Sequence, residues 1–421
     1  MQHIIIGAGP AGVIAAETLR REDPDSTIKI IGNEPEPPYS RMALPYYLNN
    51  KINEAGTHLR KTDGYFESNK IQVIQDTVAS LDSDGGVAVT EKNGDISFDR
   101  ALIATGSRPL IPQVPGNDGD GIYSCWTLAD ARNIAARTQP DSEVVLIGAG
   151  FIGCIILEAL VSRGARLTVV EQADSMVPRM MNPAAAGLLE TWCRNKGLTI
   201  LTSAALEAVE HNAGRPVIKL TNGKSLAADL VIFATGVHSN TRFLDGSDIE
   251  VDSGIMVDEY LQTSADHIYA AGDVCQGRDF STGGYSVQAI QPTAADQGRL
   301  AAMNMCGRQI RHRGCINMNI LDTLGLISAS YGLWQGVDGG DSVELLDTDR
   351  SRYLNLQFQD EVLVGAQTVG LTRHIGVIRG LIETRLKLGR WKQQLMQDPT
   401  RIMETYIGVT QPIGHNDGII R

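Results

Sequence analysis

Two runs of glycine, each followed by a carboxylate, have the residue types and spacing for dinucleotide chemistry. Gly7-x-Gly9-x-x-Gly12, with Pro10 and Ala11 inside it, follows directly on the apolar run Ile4 to Ile6. Gly148-x-Gly150-x-x-Gly153, with Phe151 and Ile152 inside it, follows Val144 to Ile147. In such a turn the first glycine makes the bend, the second lets the backbone approach a pyrophosphate, and the third lets helix pack on strand. The helix that starts there offers unpaired N–H groups and a positive dipole end to the phosphates. A second strand follows each run, Thr27 to Ile31 and Leu167 to Val170, with Glu34 and Glu171 near their ends. A carboxylate so placed accepts from a ribose 2′-hydroxyl and repels a 2′-phosphate. After Glu171, Gln172-Ala173-Asp174 supplies no arginine to hold a phosphate, so NAD(H) is expected there over NADP(H).

The elements that must position these groups repeat in order. After the first glycine run comes Val87-x-Val89, an Asn93-Gly94 turn, Ile96-x-Phe98, the strand Ala101 to Ile103, and Ala104-Thr105-Gly106. After the second comes a hairpin with the turn Asn222-Gly223, the strand Leu230 to Phe233, and Ala234-Thr235-Gly236. Two nucleotide-binding domains of one design are the simplest account. The Pro/Gly-rich stretch Arg108 to Gly121 reads as the crossing into the second, and Val237 to Leu244 as the return. From about His312 the composition changes to alternating strands (Leu345, Leu354 to Phe358, Val362 to Val364) and a helix from Ile375 to Leu388. The expected fold is therefore α/β: two Rossmann-like domains, 1–112 with 240–311 and 113–239, plus a C-terminal α+β interface domain, 312–421.

The two glycine runs, the two Ala-Thr-Gly segments and Ala270-Ala271-Gly272-Asp273 together resemble the FAD-dependent pyridine-nucleotide oxidoreductases of glutathione-reductase fold. The resemblance spans nearly the whole chain. It implies FAD in the first domain, NAD(H) in the second, and hydride transfer between nicotinamide C4 and flavin N5. It implies that Asp273 hydrogen-bonds the FAD ribityl chain. It also implies that Gln291-Pro292-Thr293-Ala294 opens a helix whose N-terminal amides face the flavin pyrimidine edge, where they favour negative charge. Departures from the family pattern are informative. In Pro38-Tyr39-Ser40-Arg41-Met42-Ala43-Leu44-Pro45-Tyr46, Met42 stands where CoA-disulfide reductases and related NADH oxidases carry a redox cysteine, and a thioether forms no thiolate. Arg41 matches an arginine of rubredoxin and ferredoxin reductases, whose flavin-proximal lysine and glutamate are replaced here by Tyr46 and Ile155.

The six cysteines (125, 154, 193, 275, 306 and 315) form no C-x-x-C or metal-ligand spacing, so free thiols and no metal centre are expected. With no local dithiol, the flavin would pass electrons singly to an iron–sulfur centre on another chain. The chain looks like the NADH-linked flavin subunits of multi-subunit iron–sulfur oxidoreductases, of the phenylglyoxylate dehydrogenase or tungsten aldehyde oxidoreductase type. Alternatives are a free-standing NADH:rubredoxin/ferredoxin or nitrite-reductase-type reductase, and a redox-sensing or scaffold subunit in which FAD and NAD(H) are structural. No catalytic acid–base residue is required.

A net charge of −12 over 421 residues disfavours nucleic acid and anionic membranes. No apolar segment reaches bilayer length and the first strand leaves no room for a leader, so a cytoplasmic protein is expected. The cluster Arg373, Arg379, Arg385, Lys387, Arg390 and Lys392 reads either as a docking surface for an acidic ferredoxin-like partner or as a solvated helix face. Assembly through the C-terminal domain, as homodimer or hetero-oligomer, is expected. The tail Tyr406 to Arg421 either wraps a neighbour or is disordered.

Overall fold

Ile4, Ile5, Ile28, Ile30 and Leu102 are wholly buried, as strands must be in a parallel sheet covered on both faces. They belong to a computed structural model that describes residues 1–416, with side chains to residue 411. The chain divides into two units. The first comprises residues 1–110, 126–132 and 237–315; the second comprises 111–125, 133–236 and 316–421.

The first unit is built on a five-stranded parallel sheet. Its strand order is Ile268–Ala270, Arg100–Ile103, Gln2–Ile6, Thr27–Gly32, Ile71–Gln75. A three-stranded antiparallel sheet accompanies it (Val78–Asp82, Val87–Thr90, Gly94–Ser97). Where the expected crossing (Arg108 to Gly121) and return (Val237 to Leu244) begin, Ser107–Pro109 and Val237–Ser239 pair with each other as an antiparallel ribbon. Helix Pro10–Glu22 leaves the central strand and packs against helix Gln291–Met305. The contact is close because Gly298 faces the Ala11 carbonyl oxygen, which a Cβ would approach to 2.3 Å.

The second unit repeats the plan. Its parallel sheet runs Thr199–Leu201, Arg166–Val170, Glu143–Ile147, Leu230–Phe233, Ile122–Ser124, with the antiparallel set Leu206–Asn212, Arg215–Leu220, Ser225–Ala227. Each glycine turn thus lies at the carboxyl end of a central strand, next to the point where strand order reverses. The same unit holds a five-stranded antiparallel sheet: Met318–Thr323, Leu326–Gly332, Val362–Val369, Arg352–Gln359, Asp341–Asp347. Two of these strands, Met318–Thr323 and Leu326–Gly332, carry Asn319, Ser328 and Ser330, so their apolar alternation is broken and the sequence reading missed them.

The C-terminal helices also differ from expectation. The helix expected over 375–388 spans only Ile375–Thr384, because Arg385 turns left-handed (φ 50°) and Leu388 donates to the Glu361 carbonyl instead. A separate helix, Arg390–Gln397, follows. The basic cluster is partly neutralised, with Arg379 paired to Glu383 at 2.8 Å and Lys392 to Asp341 at 2.5 Å. The tail is a helix over Ile402–Asn416; residues 417–421, Gly418 included, lie outside the described residues.

Candidate cofactor sites

Both glycine turns show one geometry. Gly7 (φ +123°) and Gly148 (φ +103°) adopt conformations closed to side chains. A Cβ on Gly7 would lie 2.0 Å from the Ala104 carbonyl oxygen, and one on Gly148 2.4 Å from that of Ala234. The two Ala-Thr-Gly segments are therefore the floors on which the turns rest, and Gly106 and Gly236 follow at positive φ. Gly12 and Gly153 press on the carbonyls of Gly7 and Gly148 (2.0 and 2.1 Å to a Cβ). Gly9 and Gly150, by contrast, face open space. They are also the N-caps of helices Pro10–Glu22 and Phe151–Ser162, and neither helix start has a side-chain cap. Open backbone in front of an uncapped helix N-terminus fits a pyrophosphate. Gly9→Ala and Gly150→Ala should keep the wild-type melting temperature yet weaken cofactor binding by roughly tenfold or more. Gly7→Ala and Gly148→Ala should instead destabilise the fold, by about 1–3 kcal/mol from backbone strain alone.

The acids are not equivalent. Gly7 N donates to Ile31 O and Gly148 N to Val170 O, both at 2.8 Å, so Gly32 rather than Glu34 corresponds to Glu171. A Cβ on Gly32 would already stand 2.9 Å from that of Ala8. Glu34 lies two residues on, where it accepts from Tyr39 OH (2.5 Å) and Arg41 Nη2 (2.7 Å). The acid-ended strand expected in both repeats is thus met at the matching position only in the second. There Glu171 is buried, and its carboxylate accepts from Ala149 N at 2.7 Å and Ala173 N at 2.9 Å. The Ala149 carbonyl in turn accepts from Val177 N at 2.9 Å and from Cys154 Sγ. Val177 is a β-branched residue at φ 45°, a strained conformation that sequence inspection offers no signal for.

In the first unit three distant motifs meet. A Cβ on Gly272 would lie 3.3 Å from Ala11 Cβ and 3.5 Å from Ala294 Cβ, and Gly272 N donates to Gln297 Oε1 at 2.8 Å. Helix Gln291–Met305 begins with Pro292 in its first turn and no side-chain cap, with Thr293 and Ala294 buried. Ser40 donates to Gln291 Oε1 at 2.5 Å, tying the Arg41 segment to that helix start. Thr105 and Gly106 are joined to Asn240: Thr105 Oγ1 donates to its carbonyl at 2.8 Å, and Asn240 N donates to Gly106 O at 2.9 Å. Asp273 accepts from Ser107 Oγ at 3.1 Å. Burial pushes its carboxyl pKa up, against the opposing effects of the Ser107 hydrogen bond and the Arg41 charge.

A family model described as pyridine nucleotide-disulphide oxidoreductase matches residues 1–298. The chain belongs to that family. This family member is 30% identical over 405 residues to the NADH-dependent phenylglyoxylate dehydrogenase subunit epsilon of Aromatoleum evansii, covering 95% of this chain and 96% of that one. It is 26% identical to the rubredoxin-NAD(+) reductase of Pseudomonas putida, over 91% of this chain and 99% of the relative. Among solved structures it is similar to a NAD-dependent persulfide reductase from A. fulgidus (TM-score 0.86, 27% identity, 93% of this chain and 78% of the other). The protein is a flavoprotein oxidoreductase whose cofactors are FAD and NAD(H), and the two glycine cradles fit that pair. All six cysteines are thiols, and Met42 is exposed on the 3₁₀ turn Arg41–Ala43. Burial pushes the Cys193 thiol up to about 12 and raises those of Cys154 and Cys275 further, which disfavours the thiolate at all three. Among the described residues no cluster of three or more His, Cys, Asp and Glu has a metal-binding arrangement, and no helix is long and apolar enough to cross a membrane.

Proposed function

We propose that this protein is the NADH-linked flavin subunit of a larger iron–sulfur oxidoreductase that oxidises an aldehyde or a 2-oxoacid. Electrons exchanged with NAD(H) would pass to or from an iron–sulfur centre on another chain. The observation that carries the reading is Met42: with a thioether in place of the relay cysteine, electrons have no sulfur stop at that position. Near-complete mutual coverage with a named dehydrogenase subunit supports it. The alternative of a free-standing rubredoxin-type reductase is supported by the match over 392 residues to the Pseudomonas putida relative.

FAD, when bound, supplies the change from hydride to single-electron chemistry. The chain's residues hold and orient. Gly7 to Gly12, Ala104 to Gly106, Gly272, Asp273 and Pro292 to Ala294 are assigned to FAD, with Arg41 beside them and Glu34 serving through Arg41. Gly148 to Gly153, Glu171 and Ala234 to Gly236 are assigned to NAD(H). The Glu171 carboxylate, kept in place by two amides, accepts from the ribose and disfavours a 2′-phosphate. We place the protein in the cytoplasm, which suits six scattered cysteines with no disulfide framework in their spacing.

Two measurements test this reading. In an anaerobic titration one equivalent of NADH should bleach the flavin fully, with no further electron uptake and no effect of thiol alkylation. Uptake of a second pair of electrons would mean that a hidden thiol couple exists. Purification at native abundance should bring an iron–sulfur polypeptide with the flavoprotein. A lone protein that reduces rubredoxin rapidly would favour the free-standing reductase. A flavin that NADH fails to bleach would favour the sensing or scaffold role.

A further inference from the structure

The Arg41 guanidinium lies 5.6 Å from the ring centres of both Tyr39 and Trp126. Its Nη1 donates to Tyr39 OH at 2.8 Å and to the Trp126 carbonyl at 3.2 Å, and its Nη2 to Glu34 at 2.7 Å. From the other side of the same residue, the Trp126 indole Nε1 donates to the Ser107 carbonyl at 2.9 Å. Ser107 Oγ then donates to Asp273 Oδ2 at 3.1 Å, and the Asp273 carbonyl accepts from Ser239 Oγ at 3.1 Å. Trp126 therefore joins a cation on one side to the seat of a half-buried carboxylate on the other, and it does so with two chemically distinct parts of one side chain.

Its own place is well determined. The N–H groups of Trp126 and Thr127 both donate to Asp130 Oδ2, at 3.1 and 2.9 Å. Leu128 N donates to Tyr39 OH at 3.1 Å. Arg132 closes the segment with a two-pronged bond to Glu54 (2.9 and 2.6 Å) and another to Glu36 at 2.7 Å. These contacts explain why residues 126–132 group with the first unit although the residues on either side do not. Trp126 is only half-buried, so packing alone does not account for an indole there.

We propose that Trp126 is a positioning residue for the FAD site: its ring face fixes the Arg41 guanidinium and its indole N–H fixes Ser107, so that the Asp273 carboxylate is presented to the cofactor's ribityl hydroxyls. The proposal rests on the assignment of Asp273 to FAD. Arg41, held near, favours the ionised form of Asp273, as does the Ser107 hydrogen bond.

The test strips FAD from the purified protein and measures reconstitution with FAD by flavin fluorescence, as a function of pH, for Trp126→Ala, Trp126→Phe and Ser107→Ala, with Asp273→Ala as reference. Trp126→Ala should raise the FAD dissociation constant roughly tenfold and move the acid release of FAD to higher pH, since the carboxylate loses its cation. Trp126→Phe keeps a ring face but no donor; it should weaken FAD about three- to fivefold while the release pH stays near wild type. A residue that merely fills space would change the melting temperature and leave the release pH alone. Trp126→Phe and Trp126→Ala both binding FAD within twofold of wild type, while Asp273→Ala loses it, would overturn the proposal. Full FAD retention by Asp273→Ala would instead remove the Asp273 assignment, and the proposal with it.

Discussion

Glu171→Ala is expected to raise the Michaelis constant for NADH by roughly 10- to 100-fold and to narrow the NADH/NADPH selectivity by at least about tenfold. On the role proposed for Glu171, the substitution would remove an acceptor for the ribose hydroxyls and, with it, the negative charge that opposes a 2′-phosphate. It also strands Ala149 N, whose acceptor at 2.7 Å is this carboxylate, inside the turn that cradles the pyrophosphate. That loss acts on NADH and NADPH alike, whereas the loss of charge acts on their ratio. Glu171→Gln separates the two, because its amide oxygen can still accept from Ala149 N while its NH₂ cannot accept from Ala173 N. It should recover part of the NADH affinity but little of the selectivity. Steady-state kinetics with both nucleotides reads the outcome; an unchanged ratio in Glu171→Ala would mean another residue reads the ribose.

Asp273→Ala is expected to weaken FAD binding by roughly 10- to 100-fold, the range for losing hydrogen bonds to a charged acceptor. The pH dependence follows from the direction of the shift. Burial raises the Asp273 pKa in the folded, FAD-free protein. Without FAD, this group's contribution to stability is full below the unfolded carboxyl pKa and is lost as pH rises through the folded pKa. On the proposed assignment, bound FAD would reverse the preference, since ribityl hydroxyls would donate to the carboxylate form. FAD affinity is then full above the Asp273 pKa and declines as pH falls through it. Asp273→Asn should raise the melting temperature of the FAD-free protein at neutral pH, and should flatten the acid decline of FAD binding. Thermal melts and FAD titrations from pH 4 to 8 check both signs, and a mutant that purifies with full flavin would take Asp273 out of the site.

The parts of the two sites that could be read from residue order are those governed by neighbouring backbone. Gly7 and Gly148 must be glycine because their φ angles exclude a Cβ, whereas Gly9 and Gly150 face open space in front of the helix starts, as the glycine spacing leads one to expect of a phosphate cradle. Apolar runs before each turn were legible for the same reason: strands buried on both faces tolerate nothing else. The C-terminal sheet was half legible, since Asn319, Ser328 and Ser330 sit on strands whose apolar period they interrupt. The helix end at Thr384 escaped because a left-handed Arg385 and a bond to Glu361 decided it, neither of which helical periodicity records.

Residue order by itself determined the two glycine turns, because they follow from side-chain size at single positions, and the methionine at position 42, which the resemblance sets against the relay cysteine of related reductases. Only the tertiary structure decided which acid lies at the strand end, since a spacing of two residues is invisible until Gly32 and Glu171 are set in register by their sheets. It alone placed the Ala104 and Ala234 carbonyls under the turns and Trp126 between Arg41 and Ser107. Those contacts join residues up to about a hundred positions apart, and the free energy that makes them comes from burying the sheets, not from any local preference of the residues that touch.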